Sequence, residues 1–500
     1  MRASSYVIYV DLPDSGQDML LVHGYTGTYD RVSRRVASFI RSLEAGRPPK
    51  PLYGVWSPEP VVEGGFQPPS EETVQILRRR GYLTDLTVEQ EETFLKKIAL
   101  KIHERYSSLP SYMFMPTYNC NLRCAYCFQD HMRTDPKFQH LLRTMSFEVV
   151  DRIFQGIGQI EAEIHGMKQT EVQIMRSIGF FGGEPLLAAS RPVVEYIIDK
   201  TLRLGEAGFW AVSNATELEA YEDLLGPEKI AKVQVTIDGP PAEHDKRRIY
   251  PDGSGSFEKI ARNVTMALDR GASISLRMNV DRNNIDQLPE LAEVVLKNGW
   301  NRYPHFGAYA APIRATRENI GKSTTMNAYE LKQAMTEMSK LYPLVSRVGK
   351  PLDDIKDRAR SIFHESDNIF PDLRGSFCSS HTGLYIFDAF GDIYACWERT
   401  GEPDVRIGNI SEDGKLNLNS PILNLWRSRT VASNPVCGKC RYALHCGGGC
   451  AILAEGATGK FNMNYCDGFA SNFRSSVAQA YIDHISGVEL EVKERPLCEQ

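Results

Sequence analysis

The sequence predicts an α/β chain built around a partial (β/α)6 barrel of the TIM type. An N-terminal α+β, winged-helix-like module precedes the barrel, and a cysteine-rich, metal-organised domain follows it. Three observations carry this reading. Between about 110 and 310, short runs rich in β-branched and aromatic residues alternate with amphipathic segments, the pattern of repeated βα units on a parallel sheet. Residues 1–107 lack that alternation. The 11 cysteines fall in two clusters, three between Cys120 and Cys127 and eight between Cys378 and Cys498.

In 1–107, YVIYV and MLLVHGY flank the turn-like DLPDSGQD and read as a β-hairpin. DRVSRRVASFIRSL, from Asp30, has apolar residues at helical spacing. After Pro- and Gly-rich loops (GRPPKPLYG, EGGFQPP), SEETVQILRRRGYL reads as a helix capped at Ser70 and ending near Gly81. The barrel, 108–324, takes its strands from 112–118, 177–183, 209–215, 232–239, 273–280 and 304–310. Its helices come from FEVVDRIFQGIGQIEAEI, RPVVEYIIDKTL, SFEKIARNVTMAL and LPELAEVVLKNG. Ligand-binding residues are expected at the C-terminal ends of such strands. Residues 325–376 read as a polar helical bridge to a C-terminal domain, 377–500, whose one long helical pattern is SNFRSSVAQAYIDHI.

Bulk composition narrows the function. Hydrophobic residues at 42% and charged residues at 24% are enough for sizeable cores. A net charge of −5 argues against a general nucleic-acid binder. No apolar run reaches the ~18–20 residues of a membrane span, and Asp11, Asp14 and Asp18 interrupt the N-terminal apolar stretches, unlike a secretory signal. The expectation is a cytoplasmic protein with neither membrane nor nucleic-acid partner. In a reducing compartment, tight cysteine clusters point to metal binding or redox work.

Cys120-x3-Cys124-x2-Cys127 directly follows the first barrel strand, with Tyr126 before the third cysteine. Three thiolates this close can hold three irons of a 4Fe–4S cluster and leave the fourth iron open. Structural zinc, which wants four ligands, and ordinary buried thiols are the alternatives. Gly182-Gly183-Glu184-Pro185 ends the second strand and Ser213-Asn214 the third. Thr236-Ile-Asp238-Gly239-Pro240, with His244-Asp245 and Arg248 after it, follows the fourth, and Leu-Arg277-Met-Asn279-Val lies on the fifth. Paired glycines permit close backbone approach, and Glu184 offers negative charge to a cationic group. Farther on come Cys378, Cys396, Cys437-x2-Cys440-x5-Cys446-x3-Cys450 and Cys466, with Gly447, Gly448 and Gly449 between two of them. A zinc-ribbon-like site is the alternative there. His381 and His445 read as packing or hydrogen-bonding residues.

These motifs resemble the radical S-adenosylmethionine (SAM) superfamily, and the later cysteines resemble its SPASM extension, which is found mainly in peptide-modifying enzymes. The resemblance covers roughly 110–470. It implies an enzyme with three 4Fe–4S clusters, one catalytic and two auxiliary, that cleaves SAM to a 5′-deoxyadenosyl radical. Cys120, Cys124 and Cys127 would hold the catalytic cluster. Tyr126, Gly182, Gly183, Glu184, Ser213, Asn214, Thr236, Arg248 and Arg277 would face SAM: Glu184 its ammonium, Thr236 its ribose, and Arg248 or neighbouring Arg247 its carboxylate. Ala215 stands where the family usually has glycine. Cys437, Cys440, Cys446 and Cys466 would bind one auxiliary cluster and Cys378, Cys396 and Cys450 the other. Asp372 stands where some members carry a further cysteine, so either Cys498 closes that cluster or one iron stays open.

The resemblance further implies a maturase of ribosomally made peptides, forming a thioether or carbon–carbon crosslink. Its partners would be a precursor peptide with a leader, read by residues 1–107, and an external electron donor such as flavodoxin or ferredoxin. A formylglycine-forming enzyme similar to the anaerobic sulfatase maturases is one alternative, although those carry aspartate where Trp397 follows Cys396, with Glu398 next. A non-catalytic iron–sulfur electron carrier is the other.

Overall fold

The computed structural model describes residues 1–46, 54–55, 59–60, 62, 68–166, 175–316, 324–348, 350–351, 354–363 and 372–487. Cys498 and most of the Pro- and Gly-rich loops read above lie outside the described residues. The chain divides into two units. One comprises Met1–Ser107, Asp353–Thr382 and Arg427–Gln500; the other comprises Ser108–Leu352 and Gly383–Trp426.

In the first unit, β1 (Val7–Asp11), β2 (Asp18–His23) and β3 (Tyr29–Ser33) form an antiparallel sheet in that order. The expected hairpin pairs Val7 with His23 and Asp11 with Met19. Both faces of this sheet are covered at β1 and β2, which explains why these two strands are mostly apolar instead of alternating. Ile8, Val10, Leu20 and Val22 pack with Phe363, Phe473, Val477 and Tyr481. Val7, Tyr9, Met19 and Leu21 pack with Ala37, Ile40, Leu77 and Tyr82. Phe473, Val477 and Tyr481 belong to the helix Phe469–Ile485, so the last long helix covers the N-terminal sheet. The segment from Asp30 read as helix is strand up to Ser33, and the helix runs Arg34–Ser42. Pairing of Asp18 with Ser33 extends the strand, and the Ser33 hydroxyl then accepts the Val36 N–H as an N-cap. Ser70 caps the helix Glu71–Arg79 in the same way, and Gly81 follows it at φ +85°. A third helix spans Val88–Ser107.

The second unit is built on one open, mostly parallel sheet. β4 (Ser111–Phe114), β5 (Arg176–Phe180), β6 (Ala207–Ser213), β7 (Ile230–Thr236), β8 (Ser273–Val280) and β9 (Phe306–Pro312) lie side by side in chain order, and every pairing among them is parallel. Helices Phe147–Gln159, Arg191–Leu204, Phe257–Asp269 and Leu288–Lys297 make the crossovers. From β6 to β7 the link is a 3-10 turn, Leu218–Leu224. The stretch 377–500, read as one domain, is distributed over both units. Its strand β10 (Leu384–Phe387) adds in parallel to β4, and the strands Asp392–Tyr394, Gly408–Ile410 and Leu416–Leu418 continue the sheet antiparallel.

Four strands stop short of their expected ends: 214–215 and 237–239 lie beyond the strands ending at Ser213 and Thr236, and two more stop within their apolar runs. Residues 115–118 and 181–183, expected as strand, are loop. Gly182 turns the chain at φ +154°, and the ladder past Phe114 is replaced by single bonds, Met115 N–H to Phe387 and Phe181 N–H to Phe114. Because all six strands run the same way, the loops after β4, β5, β6 and β7 share the C-terminal edge.

Candidate active site

The cysteine loop after β4 is anchored by Arg123–Cys124, which pairs antiparallel with Arg248–Ile249, placing Arg248 opposite Cys124. The Cys127 N–H donates to the Cys124 carbonyl at 3.0 Å. Two side chains donate to thiol sulfurs: Arg133 Nη2 to Cys127 at 3.1 Å and Asn214 Nδ2 to Cys120 at 3.7 Å. Burial pushes the Cys120 and Cys124 thiols up, Cys124 to about 12, and the charge of Cys127 opposes ionisation of both. Arg133 beside Cys120 and Arg248 beside Cys124 act the other way. Three thiolates here therefore require further positive charge, which a metal core supplies when it displaces the thiol protons. The donor set fits an iron–sulfur cluster in that sense. Among the described residues, no three His, Cys, Asp or Glu side chains are grouped to hold a single metal ion.

The paired glycines after β5 pack tightly against the cysteine loop. A Cβ on Gly183 would lie 2.1 Å from the Asn119 carbonyl oxygen and 2.3 Å from that of Tyr118, and one on Gly182 2.5 Å from that of Thr117. These glycines permit a close approach to the backbone of the cysteine loop. Gly183 and Glu184 N–H groups complete the junction on Thr117 and Asn119 at 3.1 and 2.8 Å. Glu184 is buried and accepts from Leu186 N–H at 2.9 Å, the Ser213 hydroxyl at 2.7 Å and Asn214 N–H at 2.6 Å. Burial raises its carboxyl to about 7 against those donors. With about four acceptor sites on a carboxylate, roughly one remains for a ligand.

Asn214 also donates to Asn121 at 2.9 Å and accepts from Thr216 N–H at 2.8 Å. Ala215, in the position of the usual glycine, is left-handed at φ +62°. The Ser213 hydroxyl accepts its N–H at 2.9 Å, and Asn263 donates to its carbonyl at 2.8 Å.

Beyond β7, a polar network closes on Tyr126. Its hydroxyl donates to Asp238 and accepts from Arg248 at 2.7 Å and from Asn279 Nδ2 at 3.1 Å. Asp238 also receives the Asn279 N–H at 3.0 Å. Arg277 donates to Asn279 at 2.7 Å, and Thr236, in register with Arg277, ends β7. Arg248 and Arg247 thus differ: Arg248 joins the cysteine loop, while Arg247 forks onto Asp281 at 3.3 and 3.2 Å. His244 is buried between Asp238 N–H and the Ser256 hydroxyl. Sequence reasoning quoted Asp238 and Asn279 without giving them roles; two polar residues on consecutive apolar strand ends are the signal that singles them out. Arg133 carries no comparable signal, since it reaches Cys127 from a short helix, His131–Thr134.

In the first unit, Cys437, Cys440, Cys446 and Cys466 sit together: burial drives the Cys437 thiol well up, and the other three add to the shift. Burial also raises Cys440 to about 12 and Cys466 to about 11. Cys378 is raised by burial, with a contribution from Cys450. Gly447, Gly448 and Gly449 are all left-handed, at φ +80°, +94° and +78°, and a Cβ on Gly449 would meet the Tyr465 carbonyl oxygen at 2.0 Å. His381 is buried beside Arg429, 3.3 Å away, and His445 packs on the Phe473 ring with centroids 4.4 Å apart. Cys396 belongs to the other unit, where it follows the strand Asp392–Tyr394. Asp372 N–H donates to Ser361.

The chain is similar to several known proteins. Residues 114–295 match the radical SAM superfamily. A cysteine-type anaerobic sulfatase-maturating enzyme of Clostridium novyi (strain NT) is 23% identical over 379 residues, covering 72% of this chain and 93% of that protein. The fold resembles native anSMEcpe with bound AdoMet and the Cp18Cys peptide, with a TM-score of 0.54 at 16% identity over 76% of this chain and 99% of that one. Streptococcus suis SuiB bound to precursor peptide SuiA aligns over 94% of this chain and 99% of its own, with 12% identity and a TM-score of 0.47. Among the described residues no helix is long and apolar enough to cross a membrane.

Proposed function

The chain carries a radical SAM domain and is an enzyme of that superfamily, and on this premise we propose that it is a maturase acting on a ribosomally made precursor peptide. The observation that carries the reading is the meeting of the cysteine loop with the loops after β5, β6 and β7 at one edge of a parallel sheet. In this reading Cys120, Cys124 and Cys127 hold the catalytic cluster. Glu184, Ser213, Asn214, Thr236, Arg248 and Arg277, with Tyr126 and the Gly182–Gly183 backbone, surround SAM. When bound, SAM and the cluster would supply a carbon radical able to take a hydrogen atom from the peptide, and the second electron and a proton lost in forming a thioether or carbon–carbon crosslink would pass to an auxiliary cluster and to a base.

The chain's own residues position and neutralise. Arg133 and Arg248 place positive charge beside the buried thiols. Glu184 keeps one acceptor site for an ammonium, and Tyr126 fixes Arg248 against Asp238. Cys437, Cys440, Cys446 and Cys466 hold one auxiliary cluster and Cys378, Cys396 and Cys450 the other, whose last site is open or filled by Cys498. Residues 1–107 read the leader: β3 pairs on one side only among the described residues, so a leader can add to it as a further strand. An external flavodoxin or ferredoxin supplies the electron.

The test is turnover of full-length against leaderless precursor. Loss of crosslinked product without the leader, with 5′-deoxyadenosine still formed, supports the reading; equal turnover of the leaderless peptide sinks it. A second reading, oxidation of a cysteine in a protein substrate to formylglycine, is favoured by the 23% identical relative. It predicts an uncrosslinked product bearing an aldehyde, detected by hydrazide capture.

A further inference from the structure

Arg429 is 4% exposed, and no carboxylate pairs with it among the described residues. Its donors go elsewhere. Nε reaches the Phe461 carbonyl at 3.0 Å, Nη1 the Gly449 carbonyl at 2.9 Å, and Nη2 the Met463 carbonyl at 2.8 Å and the Gly448 carbonyl at 3.5 Å. Nη1 also lies 3.3 Å from His381 Nε2, which accepts only as neutral imidazole. Two other buried arginines have acids beside them: Arg441 has Glu44 at 3.1 Å, and Arg248 has Asp238 at 4.0 Å. Carbonyl dipoles orient a guanidinium but do not cancel its charge, and an uncompensated buried charge is strongly unfavourable.

The segments that Arg429 touches all lead to cysteines. Gly448 and Gly449 lie between Cys446 and Cys450, Met463 lies three residues before Cys466, and His381 lies three after Cys378. One planar fork therefore braces segments belonging to both groups of thiols. Burial lowers the Arg429 pKa, and thiolate charge on Cys378, Cys437, Cys450 and Cys446 raises it in turn. Those thiolates are the negative charge that faces this cation.

Resting on the auxiliary-cluster assignment above, we propose that Arg429 is a positioning residue: it is the buried counter-charge of the auxiliary iron–sulfur centres and holds their reduction potentials up. A fixed cation beside an anionic cluster stabilises the reduced state, which carries one more negative charge, and so raises the midpoint. Arg429→Met removes the charge at similar bulk. Arg429→Lys keeps the charge but not the planar fork onto several carbonyls.

The experiment is a potentiometric titration followed by EPR, with iron analysis, on anaerobically prepared full-length protein carrying Cys120/Cys124/Cys127→Ala, so that only auxiliary centres respond. The expected result is a midpoint shifted negative in Arg429→Met and close to the parent's in Arg429→Lys. An unchanged midpoint in Arg429→Met overturns the proposal and leaves the cluster assignment standing. Should Arg429→Met fail to hold iron, Arg429→Lys decides. Iron retained at the parent's midpoint supports the counter-charge, and iron lost there too assigns Arg429 to backbone bracing alone. A parent without iron overturns the cluster assignment, and the proposal falls with it.

Discussion

Arg248 donates to the Tyr126 hydroxyl at 2.7 Å while its backbone pairs with Cys124. The residue before the third cysteine and the residue opposite the second are thereby locked together. Arg248→Met leaves the Tyr126–Asp238 pair without its cation and Cys124 without its compensating charge. Loss of a supporting group of this kind typically costs about 10- to 100-fold. The expected outcome is a drop of that size in 5′-deoxyadenosine formation, whereas Arg247→Met, which breaks the Asp281 pair, changes it far less. Equal losses in the two variants would contradict the division of labour between these arginines.

Gly183→Ala puts a methyl 2.1 Å from a backbone oxygen, with no flexible side chain to move aside. Iron content and SAM cleavage should both fall sharply, because the cysteine loop must shift. Gly158, in the helix Phe147–Gln159, has nothing within 4 Å of its would-be Cβ. Gly158→Ala is expected to raise stability by roughly 0.5–1 kcal/mol, the helix preference of alanine over glycine. Thermal unfolding and iron analysis on the two variants check both statements.

Ala215 holds a left-handed backbone, which costs an L-residue about 1–2 kcal/mol. Ala215→Gly relieves that cost but adds about 0.4–1 kcal/mol of unfolded-chain entropy. The net expectation is a small gain, on the order of 0.5–1 kcal/mol by the same principles, seen as a higher unfolding midpoint. A lower midpoint would mean that the methyl makes contacts worth more than the strain.

His23 is buried against Ser4, whose hydroxyl also donates to Glu91 at 2.6 Å. Burial lowers its pKa from 6.5 to about 4. The unfolded chain then binds the proton more tightly than the folded one between those values. Stability is fully present above about pH 6.5 and is lost as pH falls towards 4, by up to about 1.4 kcal/mol per pH unit. Denaturant midpoints measured from pH 7 to pH 4.5 should fall, and His23→Gln should flatten the slope. A slope unaffected by His23→Gln would place the acid sensitivity elsewhere.

Much of the unit built on the parallel sheet was legible because local pattern and tertiary role coincide there. Each of β4 to β9 is a short run between turn residues, and their parallel order follows from the crossovers between them. The strand ends were less legible: Met115 and Phe181 continue the apolar runs, yet they pack as core beyond the last ladder bond. The Ser33 boundary was hidden because a strand and a helix share one continuous amphipathic segment. Long-range pairings had no sequence signal at all. The Tyr6 hydroxyl donates to Gly438 across 432 residues and Arg441 donates to the Val7 carbonyl, so the N-terminal sheet and the cysteine-rich segment fold as one unit. Motif spacing located the cysteines, while the arginines that offset their burial, Arg133 and Arg429, became visible only in three dimensions.

The most direct test of the central claim is 5′-deoxyadenosine formation from SAM after reduction of anaerobically purified protein, with iron and zinc counted in the same samples. The account predicts product and about twelve irons per chain in the parent, and no product with about eight irons in Cys120/Cys124/Cys127→Ala. No product in the parent, with about two zincs and little iron, would contradict it.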